Sequence, residues 1–144
     1  MLVHQILNLK ATTDIITVKP GSSVADASEI LSQKRIGAVI VSNDGVDPLG
    51  ILSERDIVRE LGRRGAACMS DKVDDLMTGD LITCDGDCST DEVLTRMSEG
   101  RFRHMPVMDG DKMIGLISIG DVVKARLAEL AHENEALQGM IMGH

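Results

Sequence analysis

The chain has 144 residues and a mass of 15.5 kDa, with 26% charged and 43% apolar residues, a composition of one compact unit or two tightly fused halves that excludes a disordered or membrane-embedded chain. Fifteen Lys and Arg against 23 Asp and Glu leave a net charge of −8, and Phe102 is the only aromatic residue, so both the charge and the stacking platforms that nucleic acid or anionic lipid would need are missing. No nucleic acid and no membrane are expected as partners, no targeting segment is visible, and a cytoplasmic address is expected.

Taken in chain order, Val3, Ile6 and Leu7 mark a short helix, followed by a strand at Ile16-Thr17-Val18. Val24, Ala27, Ile30 and Leu31 recur at helical spacing behind Ser22 and Ser23, which predicts a capped amphipathic helix from Ser23 to Lys34. The apolar runs Ala38–Val41 and Leu49–Leu52, separated by Asn43-Asp44-Gly45 and Pro48, read as two strands joined by a turn, and a second helix follows to about Arg63. Gly62, Gly65 and the small residues near Ala66 mark a linker.

The same order then returns. Val73, Leu76 and Met77 echo the first helix; Ile82-Thr83-Cys84, Ser89 to Glu99, Met105–Met108, Ile114–Ser118 and a helix from about Ile119 follow. The offset is 66 residues from Thr17 to Thr83 and 65 from Asp56 to Asp121, so one residue is lost in the turn between the middle strands. The fold class is therefore mixed α and β (α+β), two β-α-β-β-α repeats packed with pseudo-twofold symmetry. The first repeat with its helix is expected over residues 1–66, the second with the linker helix over 67–128, and a helical extension over 129–144. Each unit is too small to cover its own sheet, so the copies should share a cleft, where ligands bind.

Both copies carry Gly-x-x-Ser-x-x-Asp at the junction of the third strand and second helix, as Gly50, Ser53, Asp56 and Gly115, Ser118, Asp121. Ser-x-x-Asp is also a helix-capping pattern. Its recurrence at matching places in matching units points beyond capping.

These motifs, with Ile16-Thr17-Val18, Gly50 to Val58, Asp75-Leu76-Met77-Thr78, Arg103-His104-Met105-Pro106-Val107 and Gly115 to Val123, resemble the tandem cystathionine-β-synthase-type (CBS) domain pair, or Bateman module, over about Val3 to Leu127. The chain looks like the small stand-alone members. The resemblance implies a regulatory sensor that binds an adenosine nucleotide (AMP, ATP or NAD(H)) and acts on a protein partner. By that analogy Asp121 and Asp56 hold ribose hydroxyls, and Ser118 and Ser53 lie toward phosphate, chemistry that a carboxylate, a hydroxyl and free helix amides suit. It nominates Ile16, Ile36, Gly37 and Ala38 for the Asp121 site and Ile82, Phe102 and Arg103 for the Asp56 site.

Phosphate also needs positive charge, for which Arg101, Arg103 and His104 form the only basic cluster beside a strand end, with Lys10 near the same cleft. Arg103 and His104 match basic positions of phosphate-binding relatives. The first copy has Arg35-Ile36-Gly37-Ala38 where the second has Arg101-Phe102-Arg103-His104, so the two sites are expected to differ. His4, His132 and His144 lack ligand-like partners, and Cys68, Cys84 and Cys88 form no C-x-x-C, so neither a metal site nor a disulfide framework is expected, and no catalytic constellation is seen.

Beyond Asp121, the residues Val123, Leu127, Leu130, Asn134, Leu137 and Ile141 recur at spacings of four and three, a heptad seam containing one Asn. Either this helix lies across its own sheet or its stripe is covered by another chain, to which Met140 and Met142 would add. Paired CBS modules commonly form a flat disc, so a homodimer is expected. The competing readings are a structural dimerisation module whose motifs serve only as caps, and a nucleotide-processing enzyme.

Overall fold

The structure, a computed structural model, describes residues 1–10 and 15–141. Met142 and His144, named above, lie outside the described residues. The elements run α1 (Val3–Leu9), β1 (Thr17–Val18), α2 (Val24–Lys34), β2 (Ala38–Val41), β3 (Gly50–Ser53), α3 (Glu54–Arg64), a 3-10 segment (Gly65–Ser70), α4 (Val73–Leu76), β4 (Cys84–Asp85), α5 (Thr90–Gly100), β5 (His104–Asp109), β6 (Lys112–Ser118) and α6 (Ile119–Ile141). Gly62 lies inside α3, and the chain turns at Gly65, whose φ of 75° favours glycine.

Two three-stranded sheets form, β1-β2-β3 and β4-β5-β6, each with a parallel first pair and an antiparallel second pair. The capping predictions are met at α2 and α5, where Ser23 Oγ accepts the Asp26 N–H at 3.1 Å and Ser89 Oγ accepts the Glu92 N–H at 3.1 Å. Both helices stop at an arginine in the left-handed region, Arg35 (φ 55°) and Arg101 (φ 56°).

The two copies differ in their first strand. The Ile40 N–H donates to Ile16 O at 3.1 Å. The corresponding residue of the second copy is Pro106, which has no N–H, so β4 begins only at Cys84 and Ile82 is left out of the ladder with 45% of its surface exposed.

Each short helix packs into the other copy's core. Val3, Ile6 and Leu7 of α1 join Val93, Met105, Val107 and Ile117, whereas Val73 of α4 joins Val24, Val39, Val41 and Leu52. Backbone bonds fix the exchange: the Val3 N–H donates to Cys88 O (2.9 Å), and the Val73 N–H donates to Ser22 O (2.8 Å). The two motif glycines make room for it. A Cβ on Gly115 would stand 2.7 Å from Leu7 Cδ2, and one on Gly50 would stand 2.8 Å from Met77 Cγ. The glycines thus serve the packing between copies, and Ser and Asp are left for the cleft.

No helix among the described residues is long and apolar enough to cross a membrane.

Candidate functional site

The Ser-x-x-Asp motifs act as reciprocal caps in both copies. Asp56 Oδ2 accepts from the Ser53 N–H and hydroxyl, each at 2.9 Å, while the Asp56 N–H donates back to Ser53 Oγ at 3.3 Å. Asp121 Oδ2 accepts from the Ser118 N–H at 2.9 Å, and the Asp121 N–H donates to Ser118 Oγ at 3.1 Å. Capping uses one carboxylate oxygen in each case, so the cap does not consume the acidic group. The other oxygen of Asp56 lies 3.6 Å from the exposed Arg59 guanidinium.

Asp56 opens on a cleft of about 290 Å³ between the copies, at the small end of the range for ligand pockets. One wall is the β3–α3 junction, with Ser53, Glu54 and Asp56; the other comes from the second copy, with Ile82, Phe102 and Arg103. The three residues expected at Asp56 are therefore brought to it. Phe102 lies against Gly100, where a Cβ would come within 2.6 Å of Phe102 Cδ1, so the missing side chain at Gly100 seats the one aromatic ring on the cleft wall.

The cleft is more cationic than the motif reading suggests. Arg55 and Arg59 of α3 line it together with Arg101 and Arg103. Arg55, Arg101 and Arg103 form no ion pair among the described residues. The signal for Arg59 is its i,i+3 spacing from Asp56, which puts its guanidinium on the helix face that carries the carboxylate, with Arg55 one turn before it.

His104 requires a correction. The imidazole was expected to add positive charge, but burial holds its pKa below the ordinary value, with Lys10 and Arg103 acting in the same direction and Asp121 and Glu54 opposing. Burial thus favours the neutral form of this partly buried ring, which sits between the two motifs. Gly37 also sits differently: expected beside Asp121, it borders the Asp56 cleft, and its absent side chain admits the His104 ring, whose Nε2 would be 3.3 Å from a Cβ there.

Around Asp121 the arrangement is closed by an ion pair. Lys10 Nζ donates to Asp121 Oδ2 and to Leu116 O, both at 2.9 Å. Burial alone would raise the Asp121 pKa; the Ser118 N–H and the Lys10 ammonium outweigh it and hold the carboxyl below its usual range. Lys10 therefore spends its charge on the carboxylate. Ile16 and Ile36 are partly buried against the first copy's core, and the Ala38 side chain is buried, so of the four residues nominated for this site only part of the isoleucine surface is accessible beside Gly37.

Among the described residues no group of three or more His, Cys, Asp or Glu is placed to hold a metal ion. Cys68, Cys84 and Cys88 are all buried free thiols, and burial, with Cys88 alongside, pushes Cys84 up to about 12.

A sequence profile of the CBS domain matches the chain twice, over residues 3–63 and 73–128. A CBS domain-containing protein of Arabidopsis thaliana, whose name adds the word mitochondrial, is 36% identical over 125 residues, covering 84% of this chain and 61% of that one. The chain thus spans about three fifths of that relative's length. A CBS-domain containing protein from Agrobacterium tumefaciens has a similar structure, with TM-score 0.83 and 40% identity over 88% of this chain and 99% of that one. A CBS domain pair solved in complex with 5′-methylthioadenosine and S-adenosyl-L-methionine shares the fold at TM-score 0.77 and 23% identity, over 90% of this chain and 98% of that one.

Proposed function

The chain belongs to the CBS domain family, and on that premise we propose that it is a regulatory module binding an adenosine nucleotide, AMP, ATP or NAD(H), in the Asp56 cleft. The carrying observation is that cleft itself: a carboxylate from one copy faces an aromatic ring and guanidinium groups from the other. Asp56 would accept from the ribose hydroxyls. Phe102 and Ile82 would pack on the adenine, and the Ser53 end of α3 with Arg103 would face phosphate.

A ligand held this way touches both copies at once. It therefore favours whichever relative orientation suits it, by its differential affinity, and a protein partner in the cytoplasm would read that orientation on a homodimer. The role is sensing and not turnover: among the described residues the cleft lining offers guanidinium groups, a carboxylate and an aromatic ring for holding a ligand, and no nucleophile paired with a base.

The structural alternative draws on the Lys10–Asp121 pair, which satisfies the second motif internally. One measurement separates the readings. The chain has neither Trp nor Tyr, so its own near-ultraviolet absorbance is very weak, and the supernatant of denatured, desalted protein reports bound nucleotide directly. An adenine band, identified by mass spectrometry, or saturable heat on titrating AMP, ATP or NADH, is the expected result. Neither band nor heat with any of the three would leave the structural module standing.

A further inference from the structure

Helix α6 has two apolar faces, and its own chain uses one. Val122 and Ala125 are buried in the core of the chain's own second repeat, and Glu129 on the same face is held by the N-terminal ammonium at 2.9 Å. The opposite face carries Val123, Leu127, Leu130, Asn134, Leu137 and Ile141 at spacings of four and three. Its apolar members are 42%, 61%, 44%, 57% and 83% exposed. In heptad terms the buried residues fall at c and f and the exposed ones at a and d, so the body of the protein lies on the far side of the helix from the seam. The alternative that α6 lies across its own sheet therefore holds only for its first turns.

The seam suits a second copy of itself in one direction. In a parallel, in-register pair Asn134 meets the second copy's Asn134 at an a layer, where two carboxamides hydrogen-bond and fix register. The flanking contacts then join Arg126 to the second copy's Ala131 and Glu133 to its Gln138, with no like charges opposed. An antiparallel pair matching every layer instead puts Glu133 against the second copy's Glu133, and buries each Asn134 against Leu130.

We propose that this outer face of α6 is the seam of a parallel, in-register coiled coil between two copies of the chain. The inference rests on the homodimer of the proposed function and is independent of the ligand. It adds which surface pairs, in which direction, and why Asn134 interrupts an otherwise apolar stripe.

The test is the oligomeric state of the full chain by sedimentation equilibrium. The wild type should be a dimer, and Leu130→Asp with Leu137→Asp should weaken it at least about 100-fold, because two charges would be buried in each apolar layer. Unfolding of the monomeric body should be unchanged, since neither side chain touches its core. Val58→Asp, on the exposed face of α3, should leave the dimer intact. Leu137→Cys should cross-link two copies on mild oxidation, since d residues face their own counterparts only in the parallel pair. A monomeric wild type would overturn the homodimer itself. A dimer that survives the double variant, or one broken by Val58→Asp alone, would keep the homodimer and overturn the seam. Loss of dimer in the double variant without cross-linking of Leu137→Cys would overturn the parallel direction.

Discussion

Asp56 and Asp121 occupy the same place in two copies of one motif, each three residues past a capping serine and each in a reciprocal backbone cap with it. Their surroundings diverge because each looks out on the other copy. Asp56 meets the Phe102 and Arg103 segment across an open cleft, whereas Asp121 meets Lys10, whose ammonium sits on its carboxylate. A local motif can therefore be duplicated faithfully while the site it belongs to is not, since half of every site is supplied by residues distant in sequence, 46 residues away for Asp56 and Phe102 and 111 for Lys10 and Asp121.

The comparison is broken most directly at the carboxylates. Asp56→Asn keeps an oxygen for the cap and removes the charge that two ribose hydroxyls would share, so nucleotide affinity by calorimetry should fall roughly 100-fold, on a cost of about 3 kcal/mol for charged hydrogen bonds. Asp121→Asn should change the same affinity less than about threefold. Equal losses in the two variants would mean that the clefts are equivalent after all.

A smaller effect is expected at Gly100. The added methyl of Gly100→Ala would displace Phe102 from its place on the wall, lowering affinity about tenfold, in keeping with the value of one base–aromatic stack. The thermal unfolding temperature should fall modestly, because the displaced ring also loses packing on the second repeat's core, a loss the better helix propensity of alanine offsets in part. An unchanged affinity would remove Phe102 from the site.

The smallest effect sharpens the other side. Lys10 and Asp121 are 27% and 26% exposed at their side chains, and a partly screened pair of this kind is worth up to about 1 kcal/mol. The folded carboxyl titrates below its usual value, so its contribution is fully present above the unfolded pKa of about 3.9 and is lost as pH falls through the lower folded one. Lys10→Met should therefore cost up to about 1 kcal/mol in urea unfolding at pH 7, with the gap to wild type closing on acidification below about pH 3.9. A gap that persists in acid would show that Lys10 contributes by packing.

Much of this was legible before any coordinates. The repeat placed every principal helix and strand, because period, capping serines and turn residues act over a few residues and mean the same in both copies. The trio Ile82, Phe102 and Arg103 could be assigned to Asp56 through the family resemblance, and all three line that cleft. Other features depend on what packs against each residue. Pro106 shortens β4 only because the neighbouring strand would need an N–H donor at that position, which proline lacks. Arg55 and Arg59 look like any solvated helix pair until the second copy stands opposite. His104 reads as a cation until its burial is known, and Lys10 reads as a phosphate ligand until Asp121 is found beside it.

The amino-acid sequence by itself determined the duplicated unit, its caps, the acidic balance and the apolar stripe on α6, all of which follow from near neighbours along the chain. Only the tertiary structure decided that α1 and α4 exchange partners, that one aspartate faces an open cationic cleft, and that the other is held by a lysine. Those outcomes depend on which surfaces meet across a pseudo-twofold axis, and contacts between residues so far apart in sequence follow from the packing of whole elements.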